Sequence, residues 1–178
     1  MSSAPRHIDT SGTGRGEAAA RPARMRRTAL FLAVAALVVV LDQVSKAYMT
    51  ELLADGSRRV LIPHVMDLYL VHNTGAAFSM GEGSGWLFTA IALVVFAIAL
   101  RFVWASDDIT WPLVATVGLV AGGGIGNMID RLLLGSVTDF LATSFMRFPV
   151  FNVADIAVTC GAFLIIILAW RMDARGEE

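Results

Sequence analysis

An unbroken apolar run from Ala29 to Leu41, inside a longer apolar stretch of about Thr28 to Met49, is followed by three more: about Trp86 to Trp104, Trp111 to Ile129 and Val153 to Trp170. At roughly 1.5 Å per residue, helices of this length cross a bilayer. Hydrocarbon offers no water to the backbone, so such runs have to be helical. Trp86, Trp104, Trp111 and Trp170 fall at the ends of the runs, where interfacial aromatics belong. With 56% hydrophobic residues, 16% charged and a mean hydropathy of +0.67, the chain is also too apolar for an ordinary soluble domain. The expectation is an all-α membrane protein with four transmembrane helices.

Between the first two spans, residues 51–85 are polar, with alternating pieces at Arg59-Val-Leu-Ile-Pro63 and Asp67-Leu-Tyr-Leu-Val-His-Asn73. Period-two alternation predicts short strands there, a small β-rich subdomain outside the membrane. Residues 1–27 lack apolar periodicity and read as a disordered basic tail, with a second short tail at 172–178. A basic segment before an apolar run also describes a cleaved signal, but Asp42-Gln-Val-Ser-Lys-Ala-Tyr48 continues the run without a small-residue cleavage site. The first run is therefore taken as a retained span, and 28–171 as one membrane domain.

Charge placement predicts orientation. Arg6, Arg15, Arg21, Arg24, Arg26, Arg27, Arg101, Arg171 and Arg175 fall on the side of the two termini, against Lys46, Arg58, Arg59, Arg131 and Arg147 on the other. The positive-inside rule puts both termini in the cytoplasm. Residues 51–85 and the polar stretch Ala121 to Asp155 then share the outer face.

That polar stretch is costly in a membrane protein and so points to use. In Gly122-Gly-Gly-Ile-Gly-Asn-Met-Ile-Asp-Arg131, Gly118, Gly122 and Gly126 recur every four residues, as in close helix packing. Asn127, Asp130 and Arg131 lie within a turn and could satisfy one another. No Lys-Ser/Thr follows the glycines, which excludes a phosphate loop. Asp42 and Lys46, a turn apart in the first span, suit an ion pair. A Ser/Lys hydrolase using Lys46 with Ser45 or Ser79 is the rival for that lysine. His72 has no second ligand at metal spacing, and His64 beside Pro63 reads as a loop residue, so no metal site is expected. Cys160 reads as a small residue within an apolar run.

Asn152 follows Pro149 and opens the fourth run, a plausible N-cap with Asp155 three residues on. The positive end of a helix favours an ionised Asp155. A second carboxyl beside it in a poorly solvated pocket would keep a proton, and such a pair can activate water. Spacing leaves open whether the partner is Asp130 or Asp139.

Five motifs in order resemble the lipoprotein signal peptidases, or signal peptidase II: Leu41-Asp-Gln-Val-Ser-Lys46, Asn73-Thr-Gly-Ala-Ala-Phe-Ser79, Gly122 to Arg131, Val137-Thr-Asp-Phe140 and Phe148-Pro-Val-Phe-Asn-Val-Ala-Asp155. The resemblance covers about residues 28–171 and implies that Asp139 and Asp155 are the catalytic dyad. It implies supporting or substrate-binding roles for Asp42, Lys46, Asn73, Gly75, Asn127, Asp130, Arg131, Asn152 and Ala154. Gly124 stands where that family commonly has alanine. The activity implied is an aspartic endopeptidase of the bacterial cytoplasmic (inner) membrane, with no metal or other cofactor. It would cut prolipoproteins just before a diacylglyceryl-modified cysteine. The partners implied are those lipid-modified substrates and membrane lipids, with no nucleic acid, a monomeric enzyme, and inhibition by globomycin-type cyclic peptides. The alternative from another class is a small transporter or proton-pathway subunit with the aspartates as relay groups.

Overall fold

The computed structural model describes residues 11–75 and 85–176. Four helices, α1 (Ser11–Leu52), α2 (Gly85–Ala105), α3 (Trp111–Leu134) and α4 (Val153–Gly176), form where the apolar runs lie. All four are long and apolar enough to cross a membrane, over 21–52, 85–105, 111–134 and 153–174. Three strands complete the described part: β1 (Arg59–Ile62), β2 (Met66–Asn73) and β3 (Val137–Thr143).

The helix α3 is the hub, packed against α1, α2 and α4. Glycines set its approach to two of them. A Cβ on Gly118 would stand 3.0 Å from the Phe31 carbonyl oxygen, and one on Gly122 would stand 2.7 Å from that of Ala35. A Cβ on Gly126 would meet Asp42 Oδ2 at 2.6 Å, so the expected glycine stripe ends by making room for a carboxylate. Gly123 faces the other way, with the Ala154 carbonyl oxygen 2.5 Å from where its Cβ would be. In lipid, such close approach replaces the hydrophobic effect as the source of packing energy. At the far end of the bundle Phe31, Val103 and Val114, all fully buried, form the apolar core with Ala99 and Val117.

Pro112 in the first turn of α3 and Gly135 after its last turn mark its ends. Gly135 has φ 72°, the left-handed conformation that a side chain resists, and its N–H bonds back to the Arg131 carbonyl. That turn throws the chain directly into β3.

The sheet is antiparallel with order β1-β2-β3. β1 and β2 form where alternation predicts them, but β3 was not expected. Six of its seven residues are buried, on both faces, so it carries no alternation to read. The sheet therefore draws on the α3–α4 connection as well as the α1–α2 connection where the sequence reading placed it. Leu53, Leu68, Phe140 and Leu141 seal it to the bundle end where α1 and α3 finish and α4 begins.

The disordered tail expected over 1–27 is corrected in part: α1 is already helical from Ser11, while residues 1–10 lie outside the described part. Ala18, Ala19 and Ala20 favour helix, and an existing span removes the nucleation cost. Anchors also hold it. Arg24 Nη2 lies 2.8 Å from Asp107 Oδ1, and Arg27 Nη1 donates to the carbonyls of Ser106 (3.1 Å) and Asp107 (2.6 Å) in the α2–α3 turn.

Candidate active site

Two carboxylates at the sheet end of the bundle have a cation. Asp42 and Lys46, on α1, are 0% and 4% exposed. Lys46 Nζ lies 2.8 Å from Asp42 Oδ2 and 3.2 Å from Asp130 Oδ2. The other lone pairs are used too: Asp42 Oδ1 accepts the Ala154 N–H at 3.0 Å, and Asp130 accepts the Thr138 N–H at 2.8 Å and Gln43 Nε2 at 2.9 Å. One buried triad thereby pins α1, α3, α4 and β3 together. Lys46 Nζ is engaged by two carboxylates and Asn127, with no serine among its partners in the described residues. Ser45 Oγ donates to its own helix at the Asp42 carbonyl, and Ser79 lies outside the described residues.

The expected grouping of Asp130 with Arg131 and Asn127 is corrected. Neighbours in a helix point apart, and Arg131 leaves Asp130 to Lys46. Its guanidinium donates to the carbonyls of Gly75 (3.1 Å) and Asn127 (3.4 Å) and lies 5.1 Å from the Phe88 ring centroid. It clasps the end of β2 to α3 and α2.

Asp139 and Asp155 have no ion-pair partner among the described residues; amides serve them instead. Val71 pairs with Asp139 across the sheet, so Asn73, two residues on, shares its face. Asn73 Nδ2 donates to Asp139 Oδ2 at 3.1 Å, and Asn152 Nδ2 to Asp139 Oδ1 at 2.7 Å. Asn73 Oδ1 accepts the Gly75 N–H at 3.0 Å, which fixes which end of the amide faces the acid.

Asn152 is the N-cap that its position predicts. Its Oδ1 accepts the Asp155 N–H at 3.0 Å while Asp155 Oδ2 accepts the Asn152 N–H at 3.1 Å, a reciprocal capping box. Asn127 Oδ1 accepts both Lys46 Nζ and Asn152 Nδ2, each at 2.9 Å, so its Nδ2 is turned to Asp155 Oδ1 at 2.8 Å. Since Lys46 only donates, it decides this orientation. Asn152 thus bonds both carboxyls at once, and Asn127 links the buried triad to Asp155.

Asp139 is 2% exposed. Burial, and then the charge of Asp155, push its carboxyl up from 3.8 to about 6, against the opposing pull of Asn73, Asn152 and Lys46. Both acids line a cavity of about 440 Å³ together with Asn73, Asn127 and Arg131 and with the apolar Val137, Ile156 and Val158. A lining that joins two carboxyls and polar amides to apolar side chains can hold a water and an extended chain together. Among the described residues no three His, Cys, Asp or Glu side chains gather as a metal site would.

All eleven residues singled out from the sequence converge at this end of the bundle, Gly75 and Ala154 through their backbones. Gln43 and the Thr138 N–H were missed. Gln43 touches Asp42, Asp130 and the Gly126 carbonyl, and its place beside Asp42 was the available signal.

A sequence model of the family described as signal peptidase (SPase) II matches residues 34–171. A lipoprotein signal peptidase of Pseudomonas paraeruginosa is 42% identical over 157 residues, 83% of this chain and 91% of that one. Another, of Streptococcus agalactiae, is 34% identical over 142 residues, 80% of this chain and 92% of that one. A bacterial membrane enzyme solved by the in meso method superposes with a TM-score of 0.71 at 29% identity, covering 83% of this chain and 91% of that chain.

Proposed function

The chain belongs to the signal peptidase II family, and on that footing we propose that it removes signal peptides from diacylglyceryl-modified prolipoproteins as an aspartic endopeptidase, cutting just before the modified cysteine. The observation that carries the aspartic reading is the division of the acids at this end of the bundle: the buried Asp42 and Asp130 have a lysine, whereas the buried Asp139 and the half-buried Asp155 are met by amides. Uncompensated carboxyls side by side share a proton, as water activation requires.

In this reading the ionised member of the pair takes a proton from water as the water oxygen bonds to the scissile carbonyl carbon. The protonated member gives its proton to the carbonyl oxygen. Collapse of the tetrahedral intermediate breaks the C–N bond, and the pair returns a proton to the departing amine of the cysteine. Asn73, Asn127 and Asn152 hold both carboxyls in place through each transfer, so little reorganisation accompanies the charge movement. Arg131 lines the same cavity and would steady the bound chain.

The enzyme lies in the bacterial inner membrane with both termini cytoplasmic and the pair near the outer face, where a substrate's acyl chains hold its scissile bond. It acts as a monomer, without a cofactor, and globomycin-type cyclic peptides block it. The test is cleavage of lipidated and unlipidated precursor side by side by wild type, Asp139→Asn and Asp155→Asn. Only wild type should cut, and only the lipidated form. Turnover by either variant, or equal cutting of both forms, would refute the assignment.

A further inference from the structure

A second cavity, of about 1000 Å³, opens beside Asp139 and shares Asn73, Asp139 and Phe148 to Val150 with the first. None of its lining residues comes from a membrane-spanning helix after α1 ends; β2, β3 and the 142–150 connection build it, with Arg58 at the rim. The first cavity, by contrast, runs down α4 along Ile156 and Val158. The two meet at Asp139, one on the membrane side and one beyond the helix ends.

Charge distinguishes the outer cavity. Apart from Asp139, its only charged lining residues among those described are Arg58 and Arg147. Arg58 is held in place by Nε, 2.8 Å from Asp67 Oδ2, with its guanidinium 6.0 Å from the Tyr69 ring centroid, and its two Nη groups make no hydrogen bond among the described residues. Arg147 is exposed and makes no hydrogen bond or ion pair among them. Its loop is set by Thr143 Oγ1 donating to the Met146 carbonyl at 3.0 Å and by the Ser144 N–H donating to that of Val65 at 3.0 Å. Two guanidinium groups on the segments flanking the sheet, one just before β1 and one after β3, with donors to spare, suit carboxylates.

Resting on the peptidase reading, we propose that this outer cavity receives the residues that follow the modified cysteine, and that Arg58 and Arg147 make it prefer acidic side chains there. A precursor bound across Asp139 keeps its lipid and signal peptide on the membrane side, so the chain that leaves has to pass over the β2–β3 face. Tyr69, Thr74, Thr143 and Ser144 give this cavity polar groups that the backbone of an extended chain can use, beside the apolar Phe145, Met146 and Phe148. An acidic segment complements the rim and is kept from Asp139 itself by like charge.

The experiment uses the full chain in a neutral detergent and diacylglyceryl peptides carrying Asp-Asp, Asn-Asn or Lys-Lys after the cysteine. For wild type, kcat/KM should fall in that order, with Asp-Asp over Lys-Lys about fivefold to tenfold, as partly exposed ion pairs allow. Salt at about 1 M, where the Debye length is about 3 Å, should compress that ratio. Arg147→Glu should bring it to one or below, and Arg58→Gln should lower it; a ratio does not move with the fraction of folded enzyme. Equal cleavage of the three peptides by wild type, or a ratio unchanged in both variants, overturns the proposal while leaving the peptidase reading intact. Dependence on added anionic lipid and not on the peptide would assign the arginines to headgroups and overturn it too. Failure of wild type to cut any of the three would sink the peptidase reading with it.

Discussion

Replacing Asp139 by Asn should inactivate the enzyme and stabilise it at neutral pH. In the folded chain the Asp139 carboxyl binds its proton more tightly than in the unfolded one, where the ordinary value of 3.8 applies against about 6. A raised carboxyl contributes its stability below pH 3.8 and loses it as pH rises through about 6. At 1.36 kcal/mol per pH unit, the interval from 3.8 to about 6 amounts to about 3 kcal/mol of destabilisation at pH 7.5. Asparagine removes that term. It also turns an N–H₂ toward one of the two donors now facing the carboxylate, Asn73 Nδ2 or Asn152 Nδ2, which costs about 1 kcal/mol. The net expectation is a gain of about 2 kcal/mol at pH 7.5 and a loss of about 1 kcal/mol below pH 4, with the curves crossing between about pH 4 and 5. Paired unfolding measurements of wild type and Asp139→Asn in detergent at pH 7.5 and pH 4 test it. A variant less stable at both, by the same amount, would mean that the ionised carboxylate holds the fold together, and the reasoning would be wrong.

Four further outcomes are expected. Lys46→Met leaves Asp42 and Asp130 buried without their cation and should cost about 3–5 kcal/mol, with part regained in Lys46→Met/Asp42→Asn; equal stability of wild type and the single variant in an unfolding titration would contradict the triad. Gly123→Ala places a Cβ 2.5 Å from the Ala154 carbonyl and 2.7 Å from Val158 Cγ2, shifting the turn that carries Asp155; unfolding should show a loss of about 1–3 kcal/mol together with a fall in kcat. Gly124→Ala next door meets only Ala92 Cβ at 3.8 Å and should be neutral or gain up to about 1 kcal/mol on the same assay. Asn152→Ala removes a donor that favours the ionised form of Asp139, so the carboxyl rises further above about 6 and the basic limb of the pH–rate profile should move upward; a downward move would refute that role.

What the sequence disclosed was what depends on near neighbours. Run length and terminal tryptophans located four spans, alternation located β1 and β2, and an i, i+3 spacing located the Asn152–Asp155 cap. What it hid was tertiary. β3 lost its period because both its faces are buried, and the early start of α1 is anchored by Arg24 and Arg27 on Asp107 and Ser106, in the turn at the far end of α2. The same limit left Asp130 and Asp139 equivalent as partners for Asp155. Adjacency suggested that Arg131 neutralises Asp130, yet the cation on Asp130 is Lys46, from another helix.

That substitution of one cation for another matters more than a corrected detail. Had Arg131 been bound to Asp130, nothing basic would line the cavity, and Lys46 would have been left to pair with Asp42 alone. Instead one lysine satisfies both structural acids and still reaches Asn127 at 2.9 Å, whose amide then faces Asp155. Arg131 is left to the cavity and to the Gly75 carbonyl. A relay for moving ions would distribute such groups through the depth of the spans. Here they collect at the sheet end, and Lys46 reaches Asp155 through the Asn127 amide.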